Sequence, residues 1–61
     1  MTPLEIKSIR LGLNMDQIEF STLLVTSVTT VSRWETGVSE PRPVFIEKLE
    51  ALKEELNNAA L

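Results

Sequence analysis

Two four-residue strings decide most of what this chain can fold into. Thr2-Pro3-Leu4-Glu5 and Asp16-Gln17-Ile18-Glu19 each place a short side-chain acceptor three residues ahead of a glutamate. In such a capping box the first side chain accepts from the backbone N–H three residues on, and the glutamate reaches back to the cap's own N–H. Pro3 adds a ring whose fixed φ suits a first helical position. Two helix starts this close together leave little chain for anything but helices.

The apolar pattern agrees. Ile6, Ile9 and Leu13 share one helical face, which predicts a first helix running to about residue 13, with Asn14 or Gly12 as its left-handed terminator. A second, short helix is predicted over about 17–24, with Phe20, Leu23 and Leu24 as its apolar stripe and Ser21 small enough to admit a neighbouring helix closely. Val28-Thr29-Thr30-Val31 is the hard stretch, because four β-branched residues in a row favour a strand. Three features oppose that. Val25, Val28 and Val31 recur every third residue and lead to Trp34, Ser27 is a good N-cap, and Gly37 ends the segment as a helix ends. A lone strand among helices would also lack a partner for its backbone. A third helix over 28–36 is the better reading. After a loop, Pro43 opens a long helix over about 43–58, with Phe45, Leu49, Leu52 and Leu56 recurring at helical spacing and Ala51, Ala59 and Ala60 adding small apolar surface. The expectation is an all-α, compact four-helix domain spanning 1–61, or five helices if the last one splits.

Composition removes several classes of function. A chain of 61 residues buries only about 60% of its unfolded surface. It has neither cysteine nor histidine, so disulfides, thiolate metal sites and the commonest catalytic base are absent, and no cofactor or metal is expected. Its nine carboxylates form no recognisable catalytic constellation and mostly belong to caps or solvated faces, which argues against an enzyme. MTPLEIKSIR lacks an apolar core of signal-peptide length and no run approaches a membrane span, so the expectation is a cytoplasmic protein without a membrane partner. The net charge of −3 opposes nucleic-acid binding, since phosphate neutralisation usually needs a basic surface.

Against that charge stands a resemblance. Ile6, Ile9 and Arg10, then Gln17, Phe20, Ser21, Leu23 and Leu24, then Ser27 and Thr30-Val31-Ser32-Arg33-Trp34-Glu35-Thr36-Gly37, then Pro41-Arg42-Pro43, follow one another in register. Over residues 4–56 the chain resembles the lambda-repressor-like (Cro/C1, XRE-type) helix-turn-helix family, with the motif at about 17–36. The resemblance implies a second helix lying across the DNA backbone and a third in the major groove. On that basis Val28, Thr29, Ser32 and Arg33 face bases, and Thr30, Val31 and Trp34 pack inward. Arg33 could pair with guanine O6 and N7, while Val28, where family members often carry a polar or basic residue, has only apolar contact with thymine methyls to offer. Gln17, Ser27, Thr36, the backbone around Gly37 and Arg42 are the candidate phosphate contacts, and Arg10 with Glu35 forms a structural salt bridge. Val25 stands where the family usually has glycine, and Glu40 brings the wrong sign to the loop that approaches phosphate.

These features make the leading expectation a sequence-specific DNA-binding regulator of Cro/C1 type, a repressor on double-stranded DNA. The apolar end of the last helix (Leu56, Ala60 and Leu61) suggests a homodimer on a near-palindromic operator. The alternative is a protein-interaction module on the same scaffold, antitoxin-like or anti-repressor, whose acidic surface binds a protein partner instead.

Overall fold

The computed structural model describes residues 1–59, which form four helices in the order α1 (Pro3–Gly12), α2 (Gln17–Leu24), α3 (Val28–Thr36) and α4 (Pro43–Ala59). Both capping boxes close. The Thr2 hydroxyl accepts from the Glu5 N–H at 3.1 Å and Glu5 accepts from the Thr2 N–H at 3.2 Å. Asp16 accepts from Glu19 at 2.7 Å, and Glu19 from Asp16 at 3.0 Å. Ser27 caps α3 by accepting from the Thr30 N–H, and Gly37 closes it at φ 79°. The β-branched run is therefore helical, and α4 is one unbroken helix.

Asn14, at φ 59°, makes the left-handed turn after α1. Gly12 remains inside the helix and answers a different need. A Cβ at Gly12 would lie 3.0 Å from Leu56 Cδ1, so the bare backbone gives that side chain of α4 close access to α1. The core consists of Ile6, Ile9, Phe20, Leu24, Val31, Trp34 and Leu49, with Leu13, Met15, Phe45, Leu52 and Leu56 packed around it. Trp34 and Phe45 meet with ring centroids 5.2 Å apart and planes tilted by 56°, which ties α3 to α4. Ser21, buried between helices, turns its hydroxyl onto the Ile18 carbonyl at 2.7 Å, so its burial leaves no polar atom unpaired.

Two apolar residues depart from the expected stripes. Leu23 is 45% exposed and lies at the edge of a groove between α2 and α4. Val25 is in no helix: it forms the turn after α2 at φ 58°, ψ 51°, with 80% of its surface exposed. The three-residue spacing of Val25, Val28 and Val31 pointed to the right element through a stripe that does not exist, because Val31 is the only one of the three in the core.

A β-branched residue in the left-handed region is strained by about 1–2 kcal/mol, and here almost no burial offsets it. Val25→Gly should therefore stabilise the fold. Relief of strain outweighs the roughly 0.5–1 kcal/mol of extra unfolded-chain entropy that glycine brings. The expected net gain is up to about 1 kcal/mol, or about 4–8 °C in Tm for a domain of this size. Thermal melting followed by circular dichroism checks it, and a lower Tm for the glycine variant would refute the strain.

Candidate nucleic-acid interface

α3 is amphipathic in a way that separates packing from exposure. Val31 and Trp34 are buried, and Thr30 is half-buried with its hydroxyl 2.8 Å from that of Ser27. Val28, Thr29 and Arg33 are exposed, and Ser32 is half-buried beside them. At 100° per residue these four lie on one face, two at the first turn of the helix and two a turn later.

The hydroxyls sort the face further. Thr22 donates to Ile18 O, and Thr36 to Ser32 O at 3.0 Å, each turned back onto its own helix. Thr29, Ser32 and Arg33 carry no side-chain hydrogen bond or ion pair among the described residues. A guanidinium and two hydroxyls thus stand outward with their donors uncommitted.

Behind this face lies a polar cluster that joins three helices. Arg10 of α1 grips Glu35 of α3 with two parallel bonds, Nε to Oε2 at 2.8 Å and Nη2 to Oε1 at 2.9 Å. The side chains retain only 11% and 5% exposure. Arg10 Nη1 reaches the Met15 carbonyl at 3.1 Å, just ahead of α2, and Gln17 of α2 donates its amide to Glu35 Oε1 at 3.3 Å. Burial pushes the Glu35 carboxyl up. The hydrogen bonds from Arg10 and Gln17 and the charge of Arg10 outweigh it, so the group sits below the ordinary carboxylate range. The hydrogen bond to Glu35 likewise raises Arg10.

The residues expected at phosphates divide. Gln17 sits at the start of α2 as expected, with one amide bond already directed to Glu35. The N–H groups of Asp16 and Glu19 are taken by the capping box, and both carboxylates crowd the site where an anion would approach. Ser27 uses its hydroxyl as the α3 cap. Gly37, at the end of α3, already directs its N–H within the chain. Its N–H, with those of Val38 and Ser39, folds back to Trp34 and Arg33 carbonyls, because a helix end must satisfy its own acceptors first. Arg42 is exposed, beside Glu40 in the loop before α4.

Leu56, expected at a dimer interface, is half-buried against Gly12 within the same chain, while Ala60 and Leu61 lie outside the described residues. Sequence reading missed Lys48, whose ammonium lies 5.7 Å from the Phe45 ring centroid and 3.5 Å from Leu24 O at the end of α2. Its place three residues after Phe45 on α4 was the available signal. It also missed the Gln17–Glu35 bond, which spans 18 residues and leaves no local trace.

The helix-turn-helix family model matches residues 6–52, from the first core isoleucine to the middle of α4. The chain belongs to this family. No curated protein and no solved structure matches it. Helix-turn-helix proteins of this Cro/C1, XRE-type group are DNA-binding regulators, and α2 and α3 form the motif here. No helix among the described residues is long and apolar enough to cross a membrane.

The cluster makes two predictions. Arg10→Met strands a carboxylate that is nearly covered, and should cost about 2–4 kcal/mol, well above the 0–1 of a surface pair. The double variant Arg10→Met/Glu35→Met should recover much of that loss, since an apolar pair of similar volume replaces the ion pair. Chemical denaturation of the three proteins measures both, and a single variant as stable as the parent would exclude a structural pair. Because the folded Glu35 carboxyl titrates below its unfolded value of about 4.3, its contribution is complete above that pH and is lost as pH falls through the folded pKa. The stability difference between the parent and Glu35→Gln should accordingly shrink below about pH 4. A difference that stays constant to pH 2 would contradict the depressed pKa.

Proposed function

We propose that this chain is a sequence-specific transcriptional regulator, a repressor that occupies promoter DNA and reads the major groove with α3. The supporting observation is the outward face of α3, where Arg33 and Thr29 hold uncommitted donors on a helix braced from behind by Arg10 and Glu35. In this reading Val28, Thr29, Ser32 and Arg33 meet base edges. Gln17, Arg42 and the hydroxyls of Ser27 and Thr36 approach the backbone, each hydroxyl sharing a bond it already makes within the chain. The protein works in the cytoplasm, without cofactor and without a catalytic step.

A homodimer places two α3 helices in successive major grooves, roughly 34 Å apart, and selects a near-palindromic operator. An apolar groove between α1 and the end of α4, lined by Leu4, Ile9 and Leu56, supports such pairing. Leu4 is 72% and Leu11 58% exposed, more apolar surface than α1 needs for its own core. The acidic start of α2 favours the other reading, a scaffold that binds a protein partner and leaves DNA alone.

Few cations are left to neutralise phosphate in the DNA reading, which bounds how steeply affinity falls with salt. Six cations are present, and Arg10, Lys48 and Lys53 already face Glu35, Leu24 O and Glu5. That leaves Lys7, Arg33 and Arg42, and at about −0.9 per neutralised phosphate a dimer should show a slope of log K against log salt no steeper than about −5. Selection from a random duplex pool, followed by salt titration of the winning site, tests the proposal. The expected result is one enriched inverted-repeat sequence with that shallow slope. Failure to enrich any sequence sinks the DNA reading, and a slope near −10 sinks the charge accounting.

A further inference from the structure

The loop between α3 and α4 encloses a cleft of about 370 Å³ against Thr30 and Trp34 of α3, a size that suits a small molecule. The touching rings of Trp34 and Phe45 give it an apolar lining. Glu40 and Arg42 complete the wall with opposite charges, yet they do not pair. Neither side chain makes a hydrogen bond or ion pair among the described residues. The loop that carries them is fixed at both ends. Val38 and Ser39 donate to Arg33 O at 2.9 and 3.3 Å, Pro41 is buried, and Arg42 O accepts from the N–H groups of Phe45 and Ile46. Two opposite charges are thus held ready on one cleft without serving each other, which lowers the cost of ordering them around a ligand.

Trp34 adds a second observation. The residue is only 2% exposed, but its indole N–H donates to no acceptor among the described residues. No sealed side-chain polar atom there lacks a partner, so this N–H reaches the surface at the clefts that Trp34 lines, which meet at Ser39 and Glu40. The hydroxyls of Thr26 and Ser39, on the same wall, are likewise unbonded among the described residues. A plain anion would accept from Arg42 and the indole but would also face the Glu40 carboxylate. A plain cation would face Arg42. A small molecule that carries both charges meets neither penalty. From this geometry we infer that the cleft binds a free α-amino acid with an apolar side chain. Its carboxylate accepts from the Arg42 guanidinium and the Trp34 N–H, its ammonium donates to Glu40, and its side chain lies against Trp34 and Phe45. Such a ligand joins the inner side of α3 to the loop before α4, and the site does not depend on the DNA-binding reading.

Trp34 is the one tryptophan of the chain and there is no tyrosine, so intrinsic fluorescence reports on the cleft directly. The full chain, without DNA, is titrated with L-leucine and in parallel with N-acetyl-L-leucine, L-leucinamide and inorganic phosphate. L-Leucine should give a saturable change in emission. Acetylation removes the ammonium and amidation the carboxylate, and each should weaken binding roughly tenfold or more, the worth of one charge-assisted hydrogen bond. Glu40→Gln and Arg42→Gln should each weaken L-leucine binding to the same extent. Both side chains are exposed and unbonded, so both variants should keep the parent's melting temperature. Failure of L-leucine to saturate by roughly 10 mM overturns the inference. So does equal binding of the acetylated or amidated compound, and so does saturation by inorganic phosphate alone, which would make the cleft an anion site. Because no DNA is present, each of these failures leaves the regulator reading standing, and the failure of that reading leaves this one.

Discussion

The bidentate bond between Arg10 and Glu35 is the interaction on which the placement of the other parts depends. Glu35 sits in the last turn of α3, where carbonyl groups already make the local potential negative, so a carboxylate is unfavourable there on its own. The Arg10 guanidinium, in the last turn of α1, relieves that position and the matching end of its own helix together. It also donates to Met15 O, so one planar group fixes the end of α1, the approach to α2 and the end of α3. Each partner satisfies the other with nearly ideal fork geometry, which is what keeps two such covered charges from becoming a liability. Gln17 completes the arrangement from α2, so the start of one motif helix and the end of the other share a single carboxylate.

With that frame in place, the exposed side of α3 is released from structural duty. Valine and threonine in a helix cost about 0.5 kcal/mol each relative to alanine. The run of four therefore costs about 2 kcal/mol, comparable to what burying Val31 alone returns, at roughly 1.5–3 kcal/mol per large apolar side chain. Trp34 adds more burial, and the Ser27 cap about 1 kcal/mol. An outward surface can thus disregard helix propensity, provided the inner face and both ends carry the helix. Val28 and Thr29 are tolerated on that basis.

What the sequence discloses follows the range of each interaction. Caps and terminators are written within three or four residues, so the starts at Thr2, Asp16 and Ser27, the stop at Gly37 and the onset at Pro43 were all readable. Interactions between distant segments were not. Gly12 read as a helix stop because glycine usually is one, while its actual neighbour, Leu56, stands 44 positions away along the chain. Val25 matched the spacing of a buried stripe, yet the left-handed turn after α2 sends it to solvent. That the N–H groups of Gly37, Val38 and Ser39 bond to carbonyls of α3 was not readable, because no local rule says whether a helix end will claim them. The candidate base-reading face was legible in kind, since outward positions follow from a helical period once Val31 and Trp34 are taken as inward. The bond that turns Gln17 toward Glu35 was not, because it depends on how two helices cross.

An acidic regulator of DNA poses a problem that this distribution of charge resolves. Non-specific affinity comes almost wholly from phosphate neutralisation, whereas discrimination comes from base edges. A chain with half of its cations already engaged by groups of its own gives up much of the first without touching the second. Arg33 makes no side-chain bond or ion pair among the described residues, while Asp16 and Glu19 put negative charge at the start of α2. In the proposed function this distribution corresponds to a low background on random DNA and a larger share of the binding energy at a few base pairs. For a small protein with few contacts to offer, suppressing the unwanted complex is as effective as strengthening the wanted one, because specificity is the difference between the two.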